Sequence, residues 1–271
     1  MTEAKWLVVS DVDGTLLDSQ KLISPKTSQV LGELQRSNRV EIVLASSRMP
    51  LSLVRLADEI GVSCHLVAYD GAVTLVAGYD EVGGERGPVI SADEARAVHD
   101  IAGQVAYFGF YYYDNWWCEK FSRWSDREES NTGLKVHLRD FNVEWSDPAH
   151  KLMLRDDEEV IRRIRGRLEG QRFETLRWYG NGSTILEFLP MTAEKGRAAE
   201  RLRSRLGIPL SRVVAFGDGY NDLSLAQTYV NFVAVENAID DVKRIATYCT
   251  GRGDADGVAR FLETFDWQGQ I

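Results

Sequence analysis

The sequence predicts an α/β fold, a doubly wound parallel sheet that is interrupted by an α+β insert. Short apolar runs near both ends of the chain alternate with amphipathic segments of helical spacing. Strands of a parallel sheet alternate with their crossover helices in this way. The apolar runs are continuous rather than alternating, as expected for strands that are covered on both faces. The middle of the chain instead carries aromatic, strand-like segments and glycine-rich loops.

The first part of the core is predicted from three strands and the helices between them. The strands are the apolar runs at residues 7–10, 40–45 and 66–68. Ser24 and Pro25 mark the start of the first helix as its N-cap and first helical residue. Pro50 starts the second helix and Gly61 ends it. Each strand is therefore followed by a helix or a turn at its carboxyl end.

The last part of the chain repeats this order. Thr192 is predicted to cap a helix that runs to Leu206. Strands are then expected at residues 213–216 and 232–235, and helices at 240–246 and 257–265. The two parts together predict a Rossmann-like core over residues 1–82 and 191–271.

Residues 83–190 are predicted to form the inserted α+β domain. Ser91 and Glu94 have the spacing of a capping box. Residues 107–117 are an aromatic, strand-like segment. Its rings are expected to fill a core more often than to stack on a ligand. The remaining predicted elements are a strand at 151–155, a helix at 158–168, and a hairpin of 172–179 with 183–189 around Gly180-Asn181-Gly182.

Charge and composition exclude some classes of partner. The formal net charge is -9 and the pI is about 5.1, so the overall field opposes nucleic acid and anionic membranes. The three cysteines are scattered without a CxxC spacing, which is typical of reduced thiols in the cytoplasm. Because no signal peptide or long apolar stretch is evident, we expect a soluble cytoplasmic protein.

The most informative motif follows the first predicted strand. Asp11 and Asp13 stand two residues apart directly after an apolar run, and Gly14 allows a sharp turn there. Ligands bind at the carboxyl ends of strands in an open α/β sheet. Two carboxylates at such a point can divide the roles of nucleophile or metal ligand and general acid/base.

Four further residues have weaker signals of their own. Asp218 and Asp222 follow the strand at 213–216 and suit a hard cation such as Mg²⁺, although a capped turn explains them equally well. Lys195 falls in the first turn of its predicted helix, where the helix dipole disfavours a cation unless an anion or carboxylate cluster faces it. Ser46 places a hydroxyl after the second strand.

Taken together, these segments resemble the haloacid dehalogenase superfamily of phosphohydrolases, and the Cof-like sugar phosphatases within it. The order of motifs matches: Asp-Val-Asp-Gly-Thr at residues 11–15, Ala-Ser-Ser-Arg at 45–48, Lys-Gly at 195–196, and Gly-Asp to Asn-Asp at 217–222. The resemblance covers nearly the whole core. It implies that the insert is a cap domain that selects the substrate.

The resemblance also implies a chemistry for the first motif. Asp11 would attack phosphorus, and Asp13 would protonate the leaving alcohol and then activate water. Mg²⁺ would be held by the carboxylates of Asp11 and Asp218 and by the backbone carbonyl of Asp13. Two adjacent carboxylates need such a cation to approach a phosphate dianion.

The other motif residues are assigned in the same way. Ser46 and Lys195 would hold the phosphoryl oxygens, with Asn221 near them, and Asp222 would support the metal or the lysine. The second motif has Ser46-Ser47 where the family commonly has Thr-Gly, which keeps a hydroxyl. The family's common Asn-Gly-Ala is here Asp70-Gly71-Ala72, so a neutral donor is replaced by a carboxylate near the expected substrate.

The expected partner is a small phosphorylated metabolite, with sugar phosphates as the first class. One alternative is a phosphatase dedicated to a single phosphorylated osmolyte or glycoside, such as mannosyl-phosphoglycerate or sucrose phosphate. A phosphosugar mutase is another, because a phosphoaspartate can pass its phosphoryl group to a second sugar hydroxyl. A binding module without turnover is disfavoured, since binding alone does not require an acid beside a nucleophile.

Overall fold

The computed structural model describes residues 5–77, 85–180 and 182–267. They fall into two compact units. The first unit, here the core unit, contains the chain up to Arg86, apart from Met49–Ser52, and the chain from Glu194 onward. The second, the insert unit, contains Gly87–Ala193 together with Met49–Ser52. The boundary predicted after residue 82 lies outside the described residues.

The regular elements are numbered in chain order. The strands are β1 Trp6–Asp11, β2 Val40–Ala45, β3 His65–Ala68, β4 Val73–Leu75, β5 Glu85–Arg86, β6 Tyr107–Tyr112, β7 Asn115–Cys118, β8 His137–Leu138, β9 Lys151–Arg155, β10 Leu176–Gly180, β11 Ile185–Pro190, β12 Val213–Gly217, β13 Asn231–Ala234 and β14 Tyr248–Cys249. The helices are α1 Pro25–Arg36, α2 Pro50–Ile60, α3 Ala92–Ala102, α4 Arg123–Thr132, α5 Glu158–Leu168, α6 Lys195–Arg205, α7 Leu223–Thr228, α8 Asp240–Ile245 and α9 Gly257–Thr264.

The core unit is built on an eight-stranded sheet in the order β14-β13-β12-β1-β2-β3-β4-β5. The six strands from β14 to β3 are parallel, and β4 and β5 add antiparallel pairs at one edge. All six residues of β1 are buried, as a continuous apolar strand between two parallel neighbours requires. The α/β prediction is therefore confirmed.

The register of the central strands brings the predicted motifs to one edge of the sheet. Asp11 pairs with Ala45 of β2, and Ser10 pairs with Phe216 of β12. The residues that follow these strands therefore leave the sheet at the same level. This edge is where the carboxyl ends of parallel strands present their loops.

The start of α6 differs from the prediction. The helix begins at Lys195, and its N-cap residue is Glu194, whose side chain makes no capping hydrogen bond. The N–H of Ala193 instead closes a turn onto the carbonyl of Pro190. Thr192 lies within that turn, so its predicted role as the helix cap is wrong. The turn also leaves Lys195 as the first helical residue.

The insert unit contains a six-stranded sheet in the order β10-β11-β9-β6-β7-β8, which is antiparallel except for the short β7–β8 pair. The segment predicted as one strand at 107–117 is a hairpin, because the chain turns at Tyr113, whose φ is +54°. Its Phe108 and Phe110 pack in a buried cluster with residues of α3 and α5. These two rings fill the core of the insert unit, which is the role favoured from the sequence.

The capping box predicted at the start of α3 is only half formed. Ser91 Oγ accepts a hydrogen bond from the Glu94 N–H, as the motif requires. The Glu94 carboxylate does not return to the Ser91 N–H, which instead donates to Thr175 Oγ1. Glu94 accepts hydrogen bonds from Glu174 and Thr175, which join α3 to the segment before β10. A tertiary contact has therefore replaced the local one.

Two further observations bear on cysteine chemistry and membrane association. Cys64, Cys118 and Cys249 form no disulfide bond within the part of the chain that the structure describes. Among the described helices, none has the length and apolar character needed to cross a bilayer.

The contact between α6 and α7 provides a stability test. A Cβ on Gly196 would overlap the backbone carbonyl oxygen of Ser224, which cannot move as a side chain can. We expect Gly196→Ala to lower the free energy of unfolding by about 1–3 kcal/mol. The matched control is Gly166→Ala in α5, where an added Cβ meets no atom within 4 Å. The control should raise stability by up to about 1 kcal/mol. Urea unfolding of the full chain measures both, and equal effects would contradict the close packing.

Candidate active site

Asp11 is the last residue of β1 and is only 4% exposed. Its Oδ1 accepts a hydrogen bond from Lys195 Nζ at 2.6 Å. Its Oδ2 is also buried and has no hydrogen-bond partner among the described residues. Burial, followed by the charge of Asp222, raises the pKa of Asp11 well above its usual value, although Lys195 opposes this. One oxygen is thus held while the other is left for a ligand.

The turn after Asp11 brings the first and fourth motifs into contact. Gly14 has a φ of +91°, which permits the sharp turn expected from the sequence. A Cβ on Gly14 would overlap the Asp218 carboxylate. Glycine is therefore required both by the backbone conformation and by the approach of Asp218.

Lys195 lies at the centre of the site with a fully buried side chain. Its Nζ donates to Asp222 Oδ1 at 2.7 Å as well as to Asp11. Burial alone would lower the pKa of Lys195, but the charges of Asp11, Asp222 and Asp70 outweigh it and raise the pKa. The lysine therefore remains an ammonium ion. A carboxylate cluster explains this cation at a helix N-terminus, which is one of the two explanations expected from the sequence.

Asp222 shapes the loop after β12. Its Oδ2 accepts hydrogen bonds from the backbone N–H groups of Asp218 and Gly219, at 2.9 and 3.0 Å. Because Lys195 occupies Oδ1, the carboxylate has donors on both oxygens. Asp222 therefore supports the lysine and orients the loop that carries Asp218.

The residues of this site match the requirements of a hard divalent cation. Asp11, Asp218 and Asp222 each offer a carboxylate oxygen, and these oxygens lie within 4.8 Å of one another. Burial, followed by the nearby Asp222, raises the pKa of Asp218 to about 6. The buried Asp11 Oδ2 has no hydrogen-bond partner among the described residues, and the half-buried Asp218 carboxylate lies close to other negative charges. A cation that prefers oxygen ligands would stabilise both groups. Asp11 and Asp218 thus fit the metal that the sequence predicts.

Asp13 is held by two cations that the sequence analysis did not assign. Arg48 donates from Nε and Nη2 to its two oxygens, each at 2.8 Å, and Lys21 Nζ lies 2.8 Å from Oδ1. Burial alone would raise the pKa of Asp13, but Arg48 and then Lys21 outweigh it and lower the pKa well below its usual range. Because Arg48 lies in the second motif, the sequence could have predicted its place in the site. Nothing in the sequence marks Lys21.

Ser46 and Asn221 follow β2 and β12, the two strands that flank β1 in the core sheet. Ser46 follows β2, and its buried Oγ accepts the Arg48 N–H at 3.2 Å while keeping its own proton to donate. Asn221 Nδ2 donates to Asp70 Oδ1 at 3.1 Å. Asp70, the departure noted in the sequence, is therefore a direct neighbour of a predicted phosphate-binding residue.

The buried contacts of Lys195 with Asp11 and Asp222 give a second test of stability. Lys195→Met would leave two buried carboxylates without their cation, and breaking such a pair costs about 3–5 kcal/mol. The control is Lys5→Met, since Lys5 also pairs with a carboxylate at 2.6 Å, but its side chain is 38% exposed. An exposed pair contributes about 0–1 kcal/mol. Urea unfolding in the presence of a chelator compares the two variants. Equal losses would mean that burial of Lys195 carries no energetic weight.

Comparison with known proteins agrees with the fold and motifs. A family model described as haloacid dehalogenase-like hydrolase matches residues 8–262. A Haemophilus influenzae protein named "Putative phosphatase" is 30% identical over 259 residues, which cover 94% of this chain and 96% of that protein. A Bacillus subtilis protein named 5-amino-6-(5-phospho-D-ribitylamino)uracil phosphatase YitU is 25% identical over 279 residues, with coverage of 98% and 99%.

A solved structure supports the same architecture. The crystal structure of a haloacid dehalogenase-like hydrolase from Bacteroides thetaiotaomicron has a TM-score of 0.83 and 24% identity, and the match covers 96% of this chain and 98% of that one. At this identity the similarity establishes the fold. Together with the family match over nearly the whole length, it shows that the chain belongs to the haloacid dehalogenase-like hydrolases, as the four motifs predicted.

Proposed function

We propose that this haloacid dehalogenase-type phosphatase hydrolyses small phosphomonoesters through a covalent phosphoaspartate on Asp11. The observation that carries the proposal is the state of that carboxylate. Lys195 holds Oδ1, while Oδ2 is buried without a partner at the carboxyl end of β1. A fixed carboxylate with one available oxygen is suited to nucleophilic attack.

In the first step, Asp11 Oδ2 forms a bond to phosphorus and the ester P–O bond breaks. The electron pair of that bond goes to the alcohol oxygen, which takes a proton from Asp13. Ser46 donates its hydroxyl proton to a phosphoryl oxygen. The Lys195 ammonium, which contacts Asp11 at 2.6 Å, and the Asn221 amide donate to the other phosphoryl oxygens in this proposal. Positioning and charge stabilisation of this kind are the main sources of catalysis in phosphoryl transfer.

In the second step, water attacks the phosphoaspartate and gives its proton to the Asp13 carboxylate. The bond between phosphorus and Asp11 oxygen breaks, which releases phosphate and restores the carboxylate. Arg48 and Lys21 hold Asp13 in its ionised form, which is the form that accepts this proton. Donation in the first step requires that substrate weakens this clamp so that Asp13 carries a proton.

A magnesium ion would be held by the carboxylates of Asp11 and Asp218 and by the backbone carbonyl of Asp13. When bound, it offsets the negative charge of these groups and of the phosphate. The fit of the cation rests on the oxygen donors that converge from the loops after β1 and β12.

Sugar phosphates and similar metabolites are the proposed substrates, and the insert unit is the proposed cap that selects among them. A relative of 25% identity is named for a phosphorylated ribitylamino uracil, a phosphomonoester of a polyol chain. Phosphate release from a broad panel of sugar and polyol phosphates tests this class. A steep preference for one compound would indicate a dedicated phosphatase, and isomerisation without phosphate release would indicate a mutase. We further propose that the protein acts in the cytoplasm, where cysteines without disulfide bonds, such as its own, persist.

Removal of the metal should abolish turnover. We expect excess chelator to stop phosphate release and Mg²⁺ to restore it, while Ca²⁺ restores it poorly because its looser coordination misplaces the nucleophile. Mg²⁺ should also raise the melting temperature of the wild-type chain but not that of Asp218→Asn, because only the former keeps the ligand set. Full turnover in chelator would exclude the proposed mechanism.

The two aspartates of the first motif should fail differently. Asp11→Asn removes the nucleophile, so every phosphomonoester should become inert. Asp13→Asn removes only the proton donor and base. Its first step should be slowed severely for a sugar phosphate, whose alkoxide needs protonation, and mildly for an aryl phosphate, whose phenolate leaves unaided. General acid/base catalysis typically contributes about a hundred- to ten-thousand-fold.

Rapid quenching of Asp13→Asn with an aryl phosphate measures this difference. We expect a burst of phenol followed by slow turnover, because the phosphoenzyme forms but lacks the base that activates water. Asp11→Asn is the control and should give no burst. Equal losses on sugar and aryl phosphates, again without a burst, would assign Asp13 a different role, such as holding the metal.

A further inference from the structure

The turn that follows β3 has an unusual backbone. Tyr69, Asp70 and Gly71 are consecutive residues with positive φ, at +51°, +51° and +108°. The left-handed region is uncommon for non-glycine residues and costs of the order of 1 kcal/mol or more for each one. Two such residues in succession persist only where the surroundings hold them.

The surroundings do hold the turn on two sides. The N–H of Tyr69 donates to the carbonyl of Arg48, and the N–H of Asp70 donates to the carbonyl of Ser46, at 3.1 and 3.0 Å. On the other side, a Cβ on Gly71 would lie 2.6 Å from the carbonyl oxygen of Glu194. The turn is thus fixed between the loop after β2 and the start of α6.

The turn places the Asp70 carboxylate beside Asn221 and Lys195. The Asp70 side chain is completely buried, and its Oδ1 accepts a hydrogen bond from Asn221 Nδ2 at 3.1 Å. The same oxygen lies 3.9 Å from Lys195 Nζ, more than 1 Å farther than the lysine's two close carboxylate partners at 2.6 and 2.7 Å. Asn221 is therefore closer to this oxygen than Lys195 is.

The chemistry of this pair fixes the orientation of the asparagine. An amide presents an acceptor on one side and two N–H donors on the other, and either side can face a neutral amide. An ionised carboxylate only accepts, so it selects the NH₂ side of Asn221. One N–H then points to Asp70 and the other remains for a second acceptor.

We propose that Asp70 is a positioning residue that locks the Asn221 amide with its second N–H available to a phosphoryl oxygen. This inference rests on the proposed function, because it takes phosphate as the ligand of Asn221. It assigns a role to the carboxylate that stands where the family commonly has asparagine. A carboxylate near a phosphate would otherwise be expected to repel it.

Positioning of Asn221 and repulsion of phosphate by Asp70 predict opposite changes in phosphate affinity. Asp70→Asn keeps the size of the side chain and a residue type that tolerates positive φ, while removing the charge and allowing the Asn221 amide to turn. If Asp70 positions Asn221, the variant should bind inorganic phosphate about three- to thirtyfold more weakly, the difference between a charge-assisted and a neutral hydrogen bond. If Asp70 mainly repels phosphate, the variant should bind it more tightly.

Titration calorimetry with inorganic phosphate in the presence of Mg²⁺ measures this directly and does not require turnover. Asn221→Ala should weaken binding on its own, and Asp70→Asn in that background should change the dissociation constant by less than about twofold, because the group it positions is gone. Tighter binding by Asp70→Asn, unchanged binding, or an additive loss in the double variant would each overturn the proposal.

A measurement on the wild-type chain covers the case in which Asp70→Asn does not fold. The side-chain NH₂ signal of Asn221, assigned by its loss in Asn221→Ala, should show one strongly hydrogen-bonded proton without phosphate, and the second proton should shift when phosphate is added. If neither proton is strongly hydrogen-bonded without phosphate, or if the second proton does not shift when phosphate is added, the proposal is overturned. Failure of the proposed function has a separate signature, since wild-type chain would then release no phosphate and form no phosphoenzyme.

Discussion

The site depends on one buried ammonium ion. Lys195 has no exposed side-chain surface, and carboxylates from β1 and from the loop after β12 lie within 2.7 Å of its Nζ. A buried charge is tolerable only when opposite charges and hydrogen bonds replace water. The ion pairs therefore fix the start of α6 against the end of β1, which is 184 positions away in sequence, and against the loop after β12. The position of Asp11 and the shape of the Asp218 loop both follow from this contact, since Asp222 binds the lysine with one oxygen and the loop with the other.

The two aspartates of the first motif are only two residues apart, yet they have opposite electrostatic environments. The pKa of Asp11 is raised by burial and by the neighbouring Asp222, whereas the pKa of Asp13 is lowered by Arg48 and Lys21. Environments that separate the pKa values of two paired carboxylates are typical of sites in which the two groups have different roles. The separation arises because burial and Asp222 outweigh the single cation beside Asp11, whereas two cations outweigh the burial of Asp13.

The insert unit is packed around a hydrophobic cluster. Its antiparallel sheet has one face in a hydrophobic cluster with α3 and α5, which the aromatic residues of β6 help to fill. Trp116 is also buried and stacks on Tyr111, with ring centroids 5.5 Å apart. Aromatic composition alone could not separate core packing from ligand stacking, because the same rings serve both purposes. The contacts of these rings assign them to packing.

The sequence by itself determined the elements and motifs that depend on local spacing. Continuous apolar runs indicated buried parallel strands, and the position of the acidic residues directly after such runs indicated the edge of the sheet at which they lie. Lys195 at a helix start was also informative, because the local dipole makes a cation there unfavourable without an anion. What only the tertiary structure decided is which groups meet. Asp70 and Asn221 are 151 positions apart, and Asp13 and Arg48 are 35 apart. Their pairing depends on strand register and on the paths of the loops between them. The same reason explains the half-formed box at Ser91, where tertiary hydrogen bonds to Thr175 replaced a local one. At Thr192 the predicted cap lost to another local arrangement, the turn that Ala193 closes onto Pro190.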